Sequence, residues 1–593
     1  MSLLGRLFSS NANRFGGRDA IIYKDQRLSY TDLDVRVRAM RAELSRYGFS
    51  RGEILPILAT RCVDYVAVVL ACSAMEIAYV PIDPVNPDDR ISAMVDMLGC
   101  SHILSLGEAR IPQLPAIAVL ILDDNGSLLA VNATERRSVT QSAGGGLDLA
   151  IMFTSGTTGT PKGVRITHEG VNNLVASVGT WLPEGGGRFV HHSSIGFDAA
   201  LFELWVPLLT GGSVVLNASP FDADTLTEVV SRSGCDTLLL TTSLFHLVVA
   251  HRPEMLHAVG TLFVGGETMK PAHAARALEL HPALTLINGY GPTENTVFST
   301  LHVVRPDDLA SGAPLPIGRP LGHVIARVMG DDLTELPSGH AGELWLGGRN
   351  LSPGYLDPEK SREAFVQHNG SRFYRTGDIV LQDERGLLHY QGRADAQVKV
   401  KGYRVEIDEI ERLLTTMAAV AQCAVLASSM NDIETRLICF IVVDQGHAAP
   451  DITTIQSFLS RSLPHYMIPS QVEIVPTLPF TVNGKLDRRS LLAGLTAGSP
   501  SILTSQSPDP LAARVMTTFG DILGRGRLSP DDSIYALGGS SLSVVVAQAM
   551  LDAAFEIRSD LKRLMLLHTV GQWIDFYRLA IRDAQKPTKS GMS

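Results

Sequence analysis

Short β-branched runs alternate with amphipathic stretches along the first two thirds of the chain. Ala20–Lys24, Leu55–Thr60, Ala118–Asp124, Asp236–Thr242 and Thr261–Glu267 read as buried strands. Between them lie helical patterns such as Tyr30–Gly48. Strands alternating with helices from about residue 20 to 390 predict an α/β fold of layered, largely parallel sheets. The pattern breaks near Gly392. Residues 393–490 carry their own strands (Cys423–Ser429, Leu437–Asp444) and helices (Glu406–Met417, Thr454–Leu463), the signature of a small α+β unit. Residues 491–508 are rich in Ser, Gly and Pro and read as a linker. Helical periodicity returns over 509–582, in Leu511–Leu523, Leu542–Met550 and Val570–Ala580, around the loop Leu528–Ser541. The expected organisation is therefore a core over 1–392, a small unit over 393–490, a linker over 491–508, a helical domain over 509–582 and a tail over 583–593.

Composition narrows the function classes. The 593 residues are 45% apolar and 19% charged, with a net charge of −10. That balance argues against a nucleic-acid-binding surface, so anionic ligands must be met by local cations. The six cysteines show no CxxC spacing, which argues against a zinc site and fits a reducing cytoplasm. The opening residues lack an apolar run of signal-peptide length, and no stretch approaches the ~20 apolar residues of a membrane span. A cytoplasmic protein with neither membrane nor nucleic-acid partners is expected.

The strongest local chemistry is Leu149–Val164. A buried strand runs into Thr154-Ser-Gly-Thr-Thr-Gly159, and Lys162 follows. Gly156 and Gly159 let backbone N–H groups approach phosphate oxygens. Thr154, Ser155, Thr157 and Thr158 add short donors, and Lys162 adds charge. The segment does not satisfy the Walker A spacing. A plain glycine- and threonine-rich surface loop is the competing reading.

Taken with further motifs, this loop resembles that of the adenylate-forming superfamily, specifically the amino-acid adenylation domains of nonribosomal peptide synthetases. The resemblance runs in order through Leu28–Leu33, Ala78–Asp83, Asn288-Gly-Tyr-Gly-Pro-Thr-Glu294, Gly342–Gly348 and Tyr374-Arg-Thr-Gly-Asp378. It continues through Gly392-Arg-Ala-Asp395, Gln397–Glu411, Leu463–Pro469 and Asn483-Gly-Lys-Leu-Asp487. It implies a large adenylate-forming domain, a small α+β lid and a four-helix-type carrier domain. ATP, Mg²⁺ and 4′-phosphopantetheine are the implied cofactors.

The resemblance also implies roles. Tyr290 stacks on adenine and Asn288 bonds its edge, as suits an aromatic face and a carboxamide. Glu294 holds Mg²⁺, Thr293 touches the α-phosphate, and Asp378 accepts the ribose hydroxyls with Arg393 nearby. Lys485 on the lid bridges the substrate carboxylate and the α-phosphate, stabilising charge in the transition state. Asp395 is the hinge. Each residue alone has a plain alternative as a turn or exposed residue. Two departures from the family pattern stand out: Lys401 replaces an arginine and Glu76 a glycine.

Asp198 in Phe197–Glu203 matches the aspartate that pairs with the substrate α-ammonium, although it also reads as a helix N-cap. The matching side-chain pocket is Ala199, Phe202, Leu239, Phe263, Gly265, Gly289, Val297 and Phe298. None of these offers a polar side chain. The phenylalanines narrow the slot and the glycines leave it some depth, so valine is expected first, then isoleucine or leucine.

Asp531–Leu542 resembles the attachment site of peptidyl carrier proteins, with Ser541 as the phosphopantetheine-bearing serine. Ser540 replaces the usual His or Asp. The implied product is a tethered aminoacyl thioester, handed to separate condensation or tailoring enzymes because no such region is present. A phosphopantetheinyl transferase is an implied partner, and the need for a small MbtH-like helper is open. The alternatives are an acyl- or aryl-CoA ligase, which needs neither Asp198 nor a fused carrier, and an inactive scaffold, which would not need Lys485, Glu294, Asp378 and Ser541.

Overall fold

The computed structural model describes the chain except residues 1, 108, 110–117, 124–125, 131–147, 156–160, 184, 218–222, 311, 395–396, 401–402, 432–433, 445, 480–485, 489, 493–508, 524–527, 535–540, 558, 565–566 and 585–593. Gly156, Thr157, Thr158, Gly159, Asp395, Lys401, Lys485 and Ser540 therefore lie outside the described residues. The chain divides into two compact units, residues 1–406 and 407–593.

The first unit is built on two sheets of parallel strands with antiparallel edges. In the nine-stranded sheet, Asp19–Tyr23, Ser213–Leu216, Arg188–His191, Thr237–Thr241, Thr261–Gly265 and Thr285–Tyr290 run parallel. In the seven-stranded sheet the parallel centre is Ala118–Leu122, His102–Leu106, Ile54–Ala59, Ala78–Ile82 and Asp148–Thr154. Helices Val63–Met75 and Ala199–Thr210 are buried almost all round and join both sheets in one core. Apart from Asp64 and Glu203 their sequences are uncharged and largely apolar on every face, as a helix enclosed by sheets requires. Trp205 donates Nε1–H to the Tyr79 hydroxyl at 3.0 Å, pairing the polar ends of two buried rings.

The end of this unit departs from the expected parallel layering. Residues 324–393 form a five-stranded antiparallel sheet: Val324–Met329, Ala341–Gly348, Ser371–Gln382, Phe365–His368 and Leu388–Arg393. Most neighbours are consecutive strands paired as hairpins, but Ala341–Gly348 meets Ser371–Gln382 antiparallel across a longer connection that carries helix Pro358–Ala364 and strand Phe365–His368. A further hairpin, Val398–Val400 with Tyr403–Val405, closes the unit.

In the second unit, Val420–Asn431, Glu434–Val443 and Gln471–Ile474 form a three-stranded sheet accompanied by helices Ile407–Leu414 and Ile452–Leu459. Among the described residues, the helices over 510–584 are Pro510–Leu523, Ser541–Phe555, Leu561–Leu564 and Val570–Ala584. Phe519, Trp573 and Tyr577 anchor their core, with the Phe519 and Trp573 rings edge-on at 4.7 Å. Among the described residues no helix is long and apolar enough to cross a membrane.

Glu76 shows why a glycine is usual there. It is the left-handed C-cap of helix Val63–Met75, with φ 59°, a conformation that costs an L-residue about 1 kcal/mol. Its ion pair with Arg51 at 2.6 Å offsets little, because Arg51 is mostly exposed. Glu76→Gly should raise the thermal midpoint of the large unit by ~1 °C in calorimetry, from a stability gain of about 0.5–1 kcal/mol. A fall in the midpoint would mean that the Arg51 pair outweighs the backbone strain.

Candidate active site

The amino-acid slot follows from sheet register. Leu239 pairs with Phe263, and Gly265 with Gly289, on adjacent parallel strands. Side chains alternate across a pleat, so Leu239, Phe263, Gly265 and Gly289 share one face. Phe202 comes down on that face from helix Ala199–Thr210, and Phe298 closes the side. The Phe202 ring meets Phe263 at 4.9 Å and Phe298 at 5.3 Å, both edge-on. All three rings are buried, as is Val297. The glycines do not leave the depth expected of them. A Cβ on Gly289 would lie 2.4 Å from Phe298 Cε1, and one on Gly265 would lie 2.7 Å from the Gly289 carbonyl oxygen and 3.1 Å from Phe298 Cε1. Their missing side chains make room for the Phe298 ring.

Asp198 precedes helix Ala199–Thr210 but makes no side-chain cap bond. It accepts instead from the Thr293 hydroxyl at 2.6 Å. Burial pushes its carboxyl above the ordinary range and the charge on Glu294 adds to this, against the Thr293 hydrogen bond and Lys399. An arriving ammonium would add positive charge beside this carboxyl and favour its ionised form. The loop before it is fixed by Glu203, a wholly buried carboxylate. Glu203 accepts from the His192 and Ser193 backbone N–H groups at 3.0 Å, from the Ser193 hydroxyl at 2.7 Å, and lies 2.8 Å from His191 Nδ1. Burial raises this carboxyl, but the two histidines and Ser193 bring the net shift below the ordinary value.

The opposite parity of strand Thr285–Tyr290 carries the nucleotide candidates. Asn288 donates one amide N–H to the Pro316 carbonyl at 2.7 Å, which leaves its carboxamide oxygen and second N–H for a base edge. The Tyr290 hydroxyl donates to Asp378 at 2.5 Å. Asp378 also accepts from Arg393 Nη1 at 2.7 Å, across the antiparallel pair of strands that carries both. Arg393 further donates to the Thr376 carbonyl at 3.1 Å. Beyond Tyr290, Glu294 is fully buried and accepts from the Tyr355 hydroxyl at 2.6 Å. At the candidate phosphate loop, Thr154 pairs with Lys162 where the two antiparallel strands meet the loop. Among the described residues Thr154 Oγ1 is buried with no hydrogen-bond partner, and a phosphate oxygen is the kind of acceptor it would take.

Several members of this site were not assigned from the sequence. Arg404 Nη1 donates to both Glu294 oxygens at 2.9 and 3.0 Å, and its Nη2 to the Tyr374 hydroxyl at 3.2 Å. Burial raises the Glu294 carboxyl, but Arg404, Tyr355 and Lys162 outweigh it and hold the group below the carboxylate range. Glu406 lies 3.4 Å from Lys162 Nζ and accepts from Gln397 at 2.5 Å. Lys399 Nζ stands 5.7 Å over the Tyr290 ring, and burial lowers its pKa although Asp378 opposes the shift. The Ser155 hydroxyl donates to the Arg404 carbonyl at 2.8 Å. The signal for these residues was the motif run 397–411, which gave no pairing. Tyr355 belonged to no motif. Ser541 begins helix Ser541–Phe555, where free backbone N–H groups and the helix dipole suit a phosphodiester.

The comparisons with known proteins decide the family. The AMP-binding enzyme profile matches residues 8–356, its C-terminal domain 409–485, and the phosphopantetheine attachment site 513–577. The chain belongs to the AMP-binding enzymes. It is 42% identical over 573 residues to an L-allo-isoleucine:holo-[CmaA peptidyl-carrier protein] ligase of Pseudomonas savastanoi pv. glycinea, covering 96% of this chain and 95% of that protein. It is 30% identical to tyrocidine synthase 3 of Brevibacillus parabrevis, over 95% of this chain but 9% of that protein. Among solved structures it resembles holo-PA1221, a nonribosomal peptide synthetase protein with adenylation and carrier domains bound to a vinylsulfonamide inhibitor. The TM-score is 0.81 at 28% identity, over 98% of this chain and 97% of the other. The enzyme is thus an amino-acid ligase of the nonribosomal peptide synthetase kind with a fused carrier domain, using ATP, Mg²⁺ and 4′-phosphopantetheine. It activates an amino acid and passes it to that carrier, which a phosphopantetheinyl transferase equips.

The residues fit these groups. Among the described residues no cluster of three or more His, Cys, Asp or Glu is arranged around a metal. A single buried carboxylate, Glu294, suits Mg²⁺, which shares its shell with substrate phosphates and water. Asp198→Ala should cost about a hundredfold more pyrophosphate exchange with an amino acid than with its des-amino analogue, roughly 3 kcal/mol, because only the former needs a buried counter-charge. Equal losses would leave Asp198 a loop-packing residue.

Proposed function

We propose that the enzyme activates a small branched aliphatic amino acid, valine first and isoleucine or leucine next. The observation that supports this is the slot itself. One sheet face offers Leu239, Phe263, Gly265 and Gly289, Phe202 and Phe298 close it, and Asp198 stands at the start of the helix that carries Phe202. A polar side chain placed there would leave its hydrogen bonds unmade. The relative whose name specifies L-allo-isoleucine favours the same class, since that amino acid also branches at its β-carbon.

In this reading the chain works by placement. Asp198 holds the α-ammonium, while Tyr290, Asn288 and Asp378 hold the nucleoside. Thr154, Ser155, Thr157, Thr158 and Lys162, with glycines 156 and 159, hold the phosphates. Thr293 touches the α-phosphate and Glu294 holds Mg²⁺. Lys485 neutralises charge as the substrate carboxylate attacks and pyrophosphate leaves. Asp395 is the hinge between a core over 1–392 and a lid over 393–490, with the linker and carrier following over 491–508 and 509–582. The arm on Ser541 supplies a thiol, and the loaded carrier passes to a condensation or tailoring enzyme. A CoA ligase would leave the Asp198–Thr293 bond and the carrier domain without purpose.

Amino-acid-dependent pyrophosphate exchange tests the substrate class. Valine, isoleucine, allo-isoleucine and leucine should lead, and charged amino acids should stay at background. Preferential activation of an acidic or basic amino acid would sink the reading. Phe298→Ala should favour leucine and phenylalanine over valine by about tenfold relative to the parent, a difference of roughly 1.4 kcal/mol. An unchanged profile would place the Phe298 ring outside the slot.

The two half-reactions separate by variant. Lys485→Ala should abolish exchange. Ser541→Ala should leave exchange nearly intact while removing both the mass gain from a phosphopantetheinyl transferase and covalent retention of the amino acid, read by intact-protein mass spectrometry. Modification of Ser541→Ala would move the attachment point to Ser540.

A further inference from the structure

Phe298 closes the amino-acid slot from a strained turn. Its backbone N–H bonds the Thr296 carbonyl at 2.8 Å across Val297, the spacing of a three-residue γ-turn. Thr296 and Val297 stand at φ 50° and 64°, a region that costs a β-branched residue. Asn350, two residues beyond strand Ala341–Gly348, clamps both flanks of this turn. Its carbonyl accepts from the Thr296 hydroxyl at 2.7 Å, and its side-chain amide donates to the Phe298 carbonyl at 3.1 Å. Its carboxamide oxygen accepts from Asn173 of helix His168–Val178 at 2.7 Å. The Asn173 oxygen accepts in turn from the His323 backbone N–H at 3.3 Å. Thr296, Asn350 and Asn173 are all buried. A relay of amides thus runs from helix His168–Val178 to the turn that carries Phe298.

We propose that Asn350 is a positioning residue for substrate selectivity: by clamping Thr296 and Phe298 it keeps the Phe298 ring in the slot and so sets which aliphatic side chains fit. The inference rests on the reading of the slot proposed above. Two successive β-branched residues at positive φ relax toward negative φ unless outside bonds hold them. Such relaxation would swing the Phe298 backbone and carry its ring away from Gly265 and Gly289, against which it lies. A carboxamide can donate to the Phe298 carbonyl and accept from Asn173 at once, which neither a carboxylate nor an alkyl chain can do. The surroundings leave room for the relay. A Cβ on Gly322 would lie 2.9 Å from Asn173 Oδ1 and 2.3 Å from Ser177 Oγ. The bonds are buried, so losing one leaves a polar group unpaired and the rest of the network less well defined. The Asn350 side chain bears on the slot turn, whereas the nucleoside is assigned to Asn288, Tyr290 and Asp378. Its effect therefore belongs in the choice of amino acid rather than in the use of ATP.

Pyrophosphate exchange by the full chain, with leucine and valine compared, tests the assignment. Asn350→Ala should raise the leucine-to-valine ratio of kcat/KM by about threefold or more, through KM for the amino acids, with KM for ATP within about twofold of the parent. Thr296→Val removes the hydroxyl and keeps the shape, and should shift the ratio the same way by about twofold. Thr296→Ser keeps the hydroxyl and should hold the parent's ratio. In a Phe298→Ala background, Asn350→Ala should move the ratio by less than about 1.5-fold, because the ring it positions is gone. A parent-like ratio in Thr296→Val or in a folded Asn350→Ala would overturn the proposal. So would a Thr296→Ser shift equal to that of Thr296→Val, or an undiminished Asn350→Ala shift in the Phe298→Ala background. If Asn350→Ala does not fold, the contrast between Thr296→Val and Thr296→Ser gives the answer. Phe298→Ala alone separates the two levels of inference. If it leaves the substrate profile unchanged, the slot reading fails and the positioning role falls with it. If it shifts the profile while Asn350→Ala and Thr296→Val do not, only the positioning role fails.

Discussion

Glu294 has no exposed surface, and a carboxylate removed from water is tolerable only when paired. Its neighbours follow from that constraint. Tyr355 gives a hydroxyl hydrogen bond and Arg404 a forked contact from 110 residues later in the chain, while Lys162 adds field across the phosphate loop. Tyr374 then takes the second arm of Arg404. Four separated segments are drawn together because one negative charge must be matched. The match is specific to sign, and a guanidinium satisfies it here.

A second constraint divides the site. Strand Thr285–Tyr290 has neighbours on both sides in its sheet, and its pleat sends alternate residues to opposite faces. Gly289 faces the apolar slot, Asn288 points to the other face, and Tyr290 ends the strand with its hydroxyl on Asp378. One strand therefore carries both proposed ligands with little freedom to misalign them. The constraint reaches the backbone as well. The turn that follows holds Thr296 and Val297 at φ 50° and 64°, a region that a β-branched residue enters at a cost. That turn brings Phe298 back onto Gly265 and Gly289. Strain in the turn and the absence of two side chains on the sheet are parts of the same arrangement.

The fold was legible in the sequence wherever one period dominated. The parallel strands Ile54–Ala59, Ala118–Leu122, Thr237–Thr241 and Thr261–Gly265 are continuous apolar runs, as strands covered on both faces must be. The antiparallel sheet over 324–393 was missed. Its strands mix buried and exposed positions, and Ser371–Gln382 alone runs through twelve residues containing Arg, Thr, Gly and Asp. Within the candidate site, Asp198, Asp378 and Glu294 could be singled out because fixed motif spacing carried them, and each lies among polar partners. The cap alternative for Asp198 was also legible, and only the Thr293 hydroxyl displaced it.

Arg404, Glu406 and Lys399 were not legible, for a physical reason. In sequence they alternate with apolar residues in a short hairpin, the pattern of charges on a solvated edge. Nothing local distinguishes such charges from ones that complement a distant buried partner. The distinction lies in desolvation. Arg404 keeps its charge when buried because Glu294 is there, and Glu294 keeps its own because Arg404 is. Neither residue is intelligible without the other, and the pairing is fixed by the sheet that carries Tyr374 and Asp378 rather than by the hairpin. The same reciprocity argues against a passive ion pair. A structural role alone would be met as well by two apolar residues of similar volume, which pack without a desolvation cost. Keeping both charges makes physical sense where the buried Glu294 carboxylate is itself needed in ionised form, as the role proposed for it above requires.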